Sequence, residues 1–400
     1  MNSKKIRDLT FILHRYLGLA VGLVLIIVGL TGSLLVFEQD FDRFAIAQQY
    51  GQITPQKVQL VSPESVMNTI KTKYAARSDL HLFRIYLPHT PASPYIGQLS
   101  TTKDQRTEVF LNPYTGKIIG ERISDNTLIG MILSLHYSLM AGETGTKIVG
   151  IIAFFMCVLT ITGLVLWPGW RRLIAGFKIK LDAHPKRANF DIHKVAGIIA
   201  VVFLFFTGFT GFCWNFYDLT EPIIYAVTFT PKPSEPVSKP IPGKSTLNLT
   251  QQLKIADAAL PSAVTESIYF PSKPEEALQI RMKLPQENEE YGNSNVYLDQ
   301  YTGKVLRVDN ALKLPLGDRV LNSFTPLHYG TFWGLPSRIF YVFVGLAPLI
   351  LFITGFVMWW YRKRPTTNLP TEAMPTATRT PLGKQATRSV SDRRSRNGQN

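Results

Sequence analysis

His14 precedes Thr31-Gly32 by 17 residues, and His193 precedes Thr210-Gly211 by the same 17. His136 stands 26 residues before Thr162-Gly163 and 31 before Trp167, while His328 stands 26 before Thr354-Gly355 and 31 before Trp359. One histidine near a helix end is commonplace; four at repeated spacings are not. Imidazole is above all a metal ligand and a proton carrier. Two imidazoles from facing helices suit a haem iron held inside a helical bundle. Zinc or copper is the competing reading, but a closed zinc site generally takes four ligands, and no Cys, Asp or Glu recurs beside these histidines. A planar macrocycle brings the other four donors itself. His81, His89 and His184 have no repeat partner and read as ordinary surface residues.

The elements that must position these side chains are apolar. Residues 16 to 37, 148 to 167, 195 to 216 and 338 to 361 are nearly free of charge. At about 1.5 Å of rise per residue each is long enough to cross a hydrocarbon core of about 30 Å. A cleaved signal peptide is the rival for the first span, yet its apolar run is long and no small-residue cleavage site precedes Glu38. Lys4, Lys5, Arg7 and Arg15 precede span one, seven Lys and Arg from Arg171 to Lys194 lie between spans two and three, and Arg362, Lys363 and Arg364 follow span four. That asymmetry predicts both termini in the cytoplasm, with residues 38 to 146 and 217 to 337 outside. Most of the net charge of +15 is then topological, and nucleic acid is not needed to explain it.

Depth pairs the histidines. His14 with His193 makes one inner site and His136 with His328 one outer site, whereas cross-pairing would join opposite sides of the bilayer. Arg15 and Lys194 follow the inner pair, as partners for propionates or as positive-inside anchors. The Thr-Gly pairs read as small residues in helix packing, Trp167, Trp359 and Trp360 as an aromatic belt, and Cys157 and Cys213 as small apolar residues within spans.

The repeat extends beyond the spans. VFLNPYTGKIIGE (109 to 121) matches VYLDQYTGKVLRV (296 to 308), each a hairpin pattern around a Gly turn, and helical stretches at 63 to 76 and 249 to 259 precede the strands. The fold expected is therefore membrane α-helical: a four-helix transmembrane bundle from a duplicated half, with two small extracytoplasmic α+β modules. Its boundaries run 1–37, 38–135 (first module), 136–167, 168–192 (basic loop), 193–216, 217–327 (second module), 328–361 and 362–400. Residues 231 to 242 read as a Pro-rich linker, and Pro365 to Asn400 as a disordered basic tail that can touch anionic lipid.

HRYLGL, VFLNPYTGK, LHYSLMAG, ITGLVLW, DIHKVAG and PLHYG together resemble the PepSY-associated transmembrane family of iron-regulated bacterial inner-membrane proteins, over about residues 8 to 364. The resemblance implies PepSY-like outer modules, two haem b groups on His14, His136, His193 and His328, and a ferric-siderophore reductase-like activity. The partners implied are a ferric siderophore or other ferric chelate, lipid, and an electron donor. No flavin or nicotinamide domain follows span four, so the donor expected is a cytoplasmic reductase or membrane quinol. Substrate near the outer haem would be lined by Tyr137, Tyr329, Phe332 and Trp333, which read equally as interface anchors. Two other classes compete. A secondary transporter is disfavoured because no Asp, Glu or Lys lies in the span cores, and a PepSY-type regulator of an extracytoplasmic peptidase would not need four paired histidines.

Overall fold

A computed structural model describes residues 3–101, 105–288 and 290–363; Arg364 and the tail expected from Pro365 to Asn400 lie outside the described residues. The helices are α1 (Ser3–Leu35), α2 (Glu38–Tyr50), α3 (Pro63–Lys73), α4 (Leu128–Ser138), α5 (Gly142–Leu166), α6 (Leu173–Phe177), α7 (Pro185–Asn215), α8 (Tyr217–Val227), α9 (Leu249–Ala259), α10 (Leu316–Tyr329) and α11 (Leu335–Lys363). The strands are β1 (Leu80–Tyr86), β2 (Tyr95–Thr101), β3 (Arg106–Leu111), β4 (Ile118–Ile123), β5 (Val264–Tyr269), β6 (Leu278–Lys283), β7 (Ser294–Leu298) and β8 (Val305–Asp309). Among the described residues, α1, α5, α7 and α11 are the four helices long and apolar enough to cross a membrane. The chain is a membrane protein with an antiparallel sheet at one end.

The apolar helices pack through small residues as well as through Leu, Ile and Val. Val21 and Leu25 of α1 meet Ile152 of α5, and Ala200 and Leu204 of α7 meet Tyr341, Val344 and Ala347 of α11. Where α1 crosses α11, Ser33 Oγ donates to the Val342 carbonyl at 2.9 Å. A Cβ on Gly345 would collide with Ser33 Oγ and lie 2.7 Å from the Gly29 carbonyl oxygen, so this crossing depends on the missing side chain. Gly345→Ala should therefore part the two helices and lower stability by about 1–3 kcal/mol, the usual range for overpacking. Thermal unfolding in detergent checks this; an unchanged midpoint would refute the tight crossing.

Each outer segment begins with a capped helix. Ser62 Oγ accepts from the Ser65 amide at the start of α3, with Pro63 at the first helical position, and Asn248 Oδ1 accepts from the Gln251 amide at the start of α9. The two YTGK hairpins also share their turn chemistry. Asn112 Oδ1 accepts from the amides of Tyr114 and Thr115, Asp299 Oδ1 accepts from those of Tyr301 and Thr302, and Gly116 and Gly303 take positive φ of 66° and 72°.

The sequence predicts two small modules, one per half, and the strands of the two segments form one eight-stranded antiparallel sheet, in the order β4-β3-β2-β1-β5-β6-β7-β8. Arg84 to Tyr86 of β1 pair with Ser267 to Tyr269 of β5. The physical reason is the edge each four-stranded half would otherwise expose; joining β1 to β5 satisfies both rows of backbone groups. Ile85, Ile268, Ile280 and Val296 lie side by side on one face, all fully buried beneath α3 and α9.

Besides the spans and α3 and α9, the chain forms α2, α4, α6, α8 and α10. α2 and α8 carry the chain onward from α1 and α7; α8 packs on α7 and α10, with Tyr225 donating to Asp318, and α2 ties the apolar helices to the sheet. Tyr50 at the end of α2 donates to the Glu121 carbonyl, and its ring stacks on Phe110 at 5.0 Å. Arg338 at the start of α11 is paired with Asp40 of α2 and donates to the Val36 carbonyl at 2.9 Å.

Candidate functional site

The histidines come together in two pairs. The ring centroids of His14 (α1) and His193 (α7) are 6.2 Å apart, with planes at 86°, and those of His136 (α4) and His328 (α10) are 6.1 Å apart, with planes at 81°. The second pair is at the sheet end, because it meets the C-terminal ends of α1 and α7. The first is at the other end. The 17 residues of α1 between His14 and Thr31 set the two pairs roughly 25 Å apart along the bundle.

All four imidazoles are held in one way. His14 Nδ1 lies 2.9 Å from Thr162 Oγ1, His193 Nδ1 2.9 Å from Thr354 Oγ1, His136 Nδ1 3.1 Å from Thr31 Oγ1 and His328 Nδ1 2.7 Å from Thr210 Oγ1. Each of these threonines gives its own hydroxyl hydrogen to the carbonyl four residues earlier, at 2.7 Å in every case. A hydroxyl has one hydrogen, so toward histidine each threonine can only accept. Each ring also has a backbone carbonyl partner three residues before the threonine: Val28, 2.9 Å from His136 Nδ1, and Leu159, Leu351 and Thr207 for His14, His193 and His328. Nδ1 must therefore carry the proton. Nε2 keeps its lone pair, and this is how proteins prepare an imidazole to bind metal.

The glycine after each threonine faces the same ring. A Cβ there would lie 3.0 Å from His136 Cε1 at Gly32, 3.2 Å from His14 Cε1 at Gly163, 3.5 Å from His328 Cε1 at Gly211 and 3.6 Å from His193 Cε1 at Gly355. The Thr-Gly pairs, read in the sequence as helix packing, thus serve as seats for imidazoles. Their constant distance from the histidines was the available signal.

A metal–nitrogen bond of about 2 Å and about 1.1 Å from nitrogen to ring centre place the centroids of two imidazoles on one metal about 6 Å apart. Both pairs fit that spacing. Among the described residues no three His, Cys, Asp or Glu side chains converge, so each pair offers two donors and leaves the remaining positions to a ligand that brings its own.

Arg15 and Lys194, both expected near the first pair, differ. Lys194 is buried and its Nζ lies 2.6 Å from Asp191 Oδ1, within its own helix, so its charge is already matched. Asp191 also accepts from Arg187 Nε at 3.1 Å and from the Lys180 amide at 3.3 Å. It is a residue the sequence reading passed over, although its i,i+3 spacing to Lys194 was visible. The Arg15 guanidinium rests on the rings of Phe11 and Tyr16, at 5.3 and 4.6 Å, and its Nε is buried without a hydrogen-bond partner among the described residues. This unpartnered Nε, on the residue that follows His14, would suit an anionic substituent of a bound cofactor.

Of the aromatics expected at the outer site, Tyr329 lies 5.9 Å from His328, and Tyr137 and Trp333 are exposed. Phe332 turns instead toward Tyr341, at 5.7 Å, as part of the helix core. Trp214, not singled out in the sequence, is the nearer ring: its centroid is 4.8 Å from that of His328. It follows Thr210 by one helical turn, and so shares its face of α7. His81 and His89 are exposed, His89 with its Nδ1 3.5 Å from Glu266, and His184 caps α7 by accepting from the Lys186 amide.

No curated protein matches the chain. A family model described as the PepSY-associated TM region matches residues 11–362, nearly the whole of the described chain. This protein belongs to the family of the PepSY-associated TM region.

Proposed function

We propose that this protein carries electrons across a bacterial inner membrane through two b-type haems and reduces a ferric chelate, a ferric siderophore above all, on the far side. The observation that carries the reading is the pair of histidine pairs, 6.2 and 6.1 Å between centroids, each imidazole with its proton committed at Nδ1 and its Nε2 free. His14 and His193 would hold one haem, and His136 and His328 the other. The chemistry those groups supply when bound is reversible one-electron transfer.

The chain's own part is to bind and orient. Threonine and carbonyl acceptors hold each ring in one tautomer, the glycines leave room for the ring edges, and Arg15 offers a counter-charge at the inner site. One electron delivered at the sheet end converts a ferric ion to ferrous, which hard oxygen ligands hold less tightly. The excess of Lys and Arg beside the ends remote from the sheet supports cytoplasmic termini, so electrons enter near His14 and His193 from a cytoplasmic reductase or quinol. The matched turns, caps and histidine seats support a duplicated half whose two PepSY-like modules share one sheet.

Purified protein, expressed with ample haem, should show the absorption bands of low-spin b-type haem at two per chain. The reduced protein should be reoxidised by ferric chelates. A colourless protein, or a reduced one that ferric chelates leave unchanged, would defeat the proposal.

A further inference from the structure

On the face of the sheet opposite α3 and α9, strand register sets one row of side chains that runs from Arg122 in β4, through Arg84 in β1 and Tyr269 in β5, to Arg307 in β8. The three arginines meet different surroundings. Arg122 lies 2.7 Å from both Asp42 and Glu108, and Arg307 lies 3.1 Å from Asp309. Arg84, at the centre, forms no ion pair among the described residues. Its guanidinium carbon is 3.8 Å from the centre of the Tyr86 ring and 4.1 Å from that of Tyr269. Nη2 reaches only Ser267 Oγ, at 3.3 Å, and Nε is buried without a partner.

A second cation shares the patch. Arg281 stands opposite Ser267 in the register, and its Nε and Nη2 donate to the Gly292 carbonyl and the Asn293 side chain, both neutral. Burial, with Arg281 adding to it, pushes the Arg84 guanidinium below its ordinary range, against the pull of the neighbouring tyrosines. Aromatic rings partner the faces of a guanidinium and leave its N–H edge unmet. Two neighbouring cations in adjacent rows, both with neutral partners while the other arginines of the Arg84 row have carboxylates, are the complement of a bidentate oxyanion.

We propose that the patch formed by Arg84 and Arg281, walled by Tyr86 and Tyr269, binds a carboxylate- or phosphate-bearing ligand. The inference stands on the sheet alone and does not require the histidine pairs to hold haem. Two sources share this chemistry, a free anionic ligand and an anionic lipid headgroup, and two probes separate them. In nanodiscs of phosphatidylcholine alone, the full chain is titrated with citrate at low salt by calorimetry. In mixed discs, retained phosphatidylglycerol is counted by native mass spectrometry. Arg84→Gln should weaken one of the two by about tenfold or more, as expected for loss of a charge-assisted hydrogen-bond donor. Arg84→Lys, which keeps the charge but not the fork, should fall between, and Arg307→Gln should behave as the parent. Loss of citrate binding assigns the patch to a free ligand, and loss of phosphatidylglycerol assigns it to a headgroup. The proposal is overturned if parent and Arg84→Gln bind both probes alike, or if Arg307→Gln is as defective as Arg84→Gln.

Discussion

Protein carrying His328→Ala should purify with one haem per chain where the parent is expected to purify with two, and the remaining low-spin signal should be that of the His14–His193 site. The reasoning is geometric. His328 and His136 face one another with centroids 6.1 Å apart, and no further His, Cys, Asp or Glu among the described residues converges there to replace a lost imidazole. With one of the two imidazoles removed, a haem held by this pair would be weakly bound. The first pair is roughly 25 Å away along α1, beyond direct contact, so it should keep its complement. His193→Ala is the mirror experiment and should empty the inner site alone. Pyridine haemochrome content and low-temperature electron paramagnetic resonance read both. Full stoichiometry with unchanged low-spin signals in each variant would remove these histidines from the reading.

Thr31→Val with Thr210→Val should weaken haem binding at the outer site by about 10–100-fold, the range found when a ligating histidine loses its outer partner. Valine keeps nearly the shape of threonine and removes the oxygen that accepts from Nδ1 of His136 and His328, at 3.1 and 2.7 Å. The carbonyls of Val28 and Thr207 remain, so the rings should stay in place but with a less basic Nε2. A less basic ligand favours the ferric state less, and the midpoint potential of the outer haem should shift positive. Thr31→Ser with Thr210→Ser restores the acceptor and should restore both properties. A purely structural role for the threonines predicts a different outcome: lower thermal stability, with affinity and potential unmoved.

The spacing of like residues was enough to define much of this protein. Four apolar stretches of spanning length, the 17- and 26-residue intervals from histidine to Thr-Gly, and the two YTGK turns are all local properties. Length, periodicity and turn chemistry depend on a residue's near neighbours in the chain, so they survive without knowledge of the fold. The pairing of histidines by depth followed as well, because a residue's place along a spanning helix sets its level in the membrane.

What tertiary structure decided is which side chains meet. His14 is seated by Thr162, from another helix, because the N-terminal end of α1 lies beside the C-terminal end of α5. The rotation of each helix about its axis chooses the partner, and sequence spacing within one helix does not contain that rotation. The same holds for charge. Lys194 and Arg15 occupy matched positions, yet only Lys194 has an acid one turn back to neutralise it, and only the folded chain buries Lys194 and the Nε of Arg15. Arg84, Arg122 and Arg307 are alike in sequence as arginines in strands. Arg122 finds Asp42, 80 residues away on α2, whereas Arg84 finds Ser267, 183 residues away, and that long-range register, set when β1 and β5 joined the two halves, left the central cation without a carboxylate among the described residues.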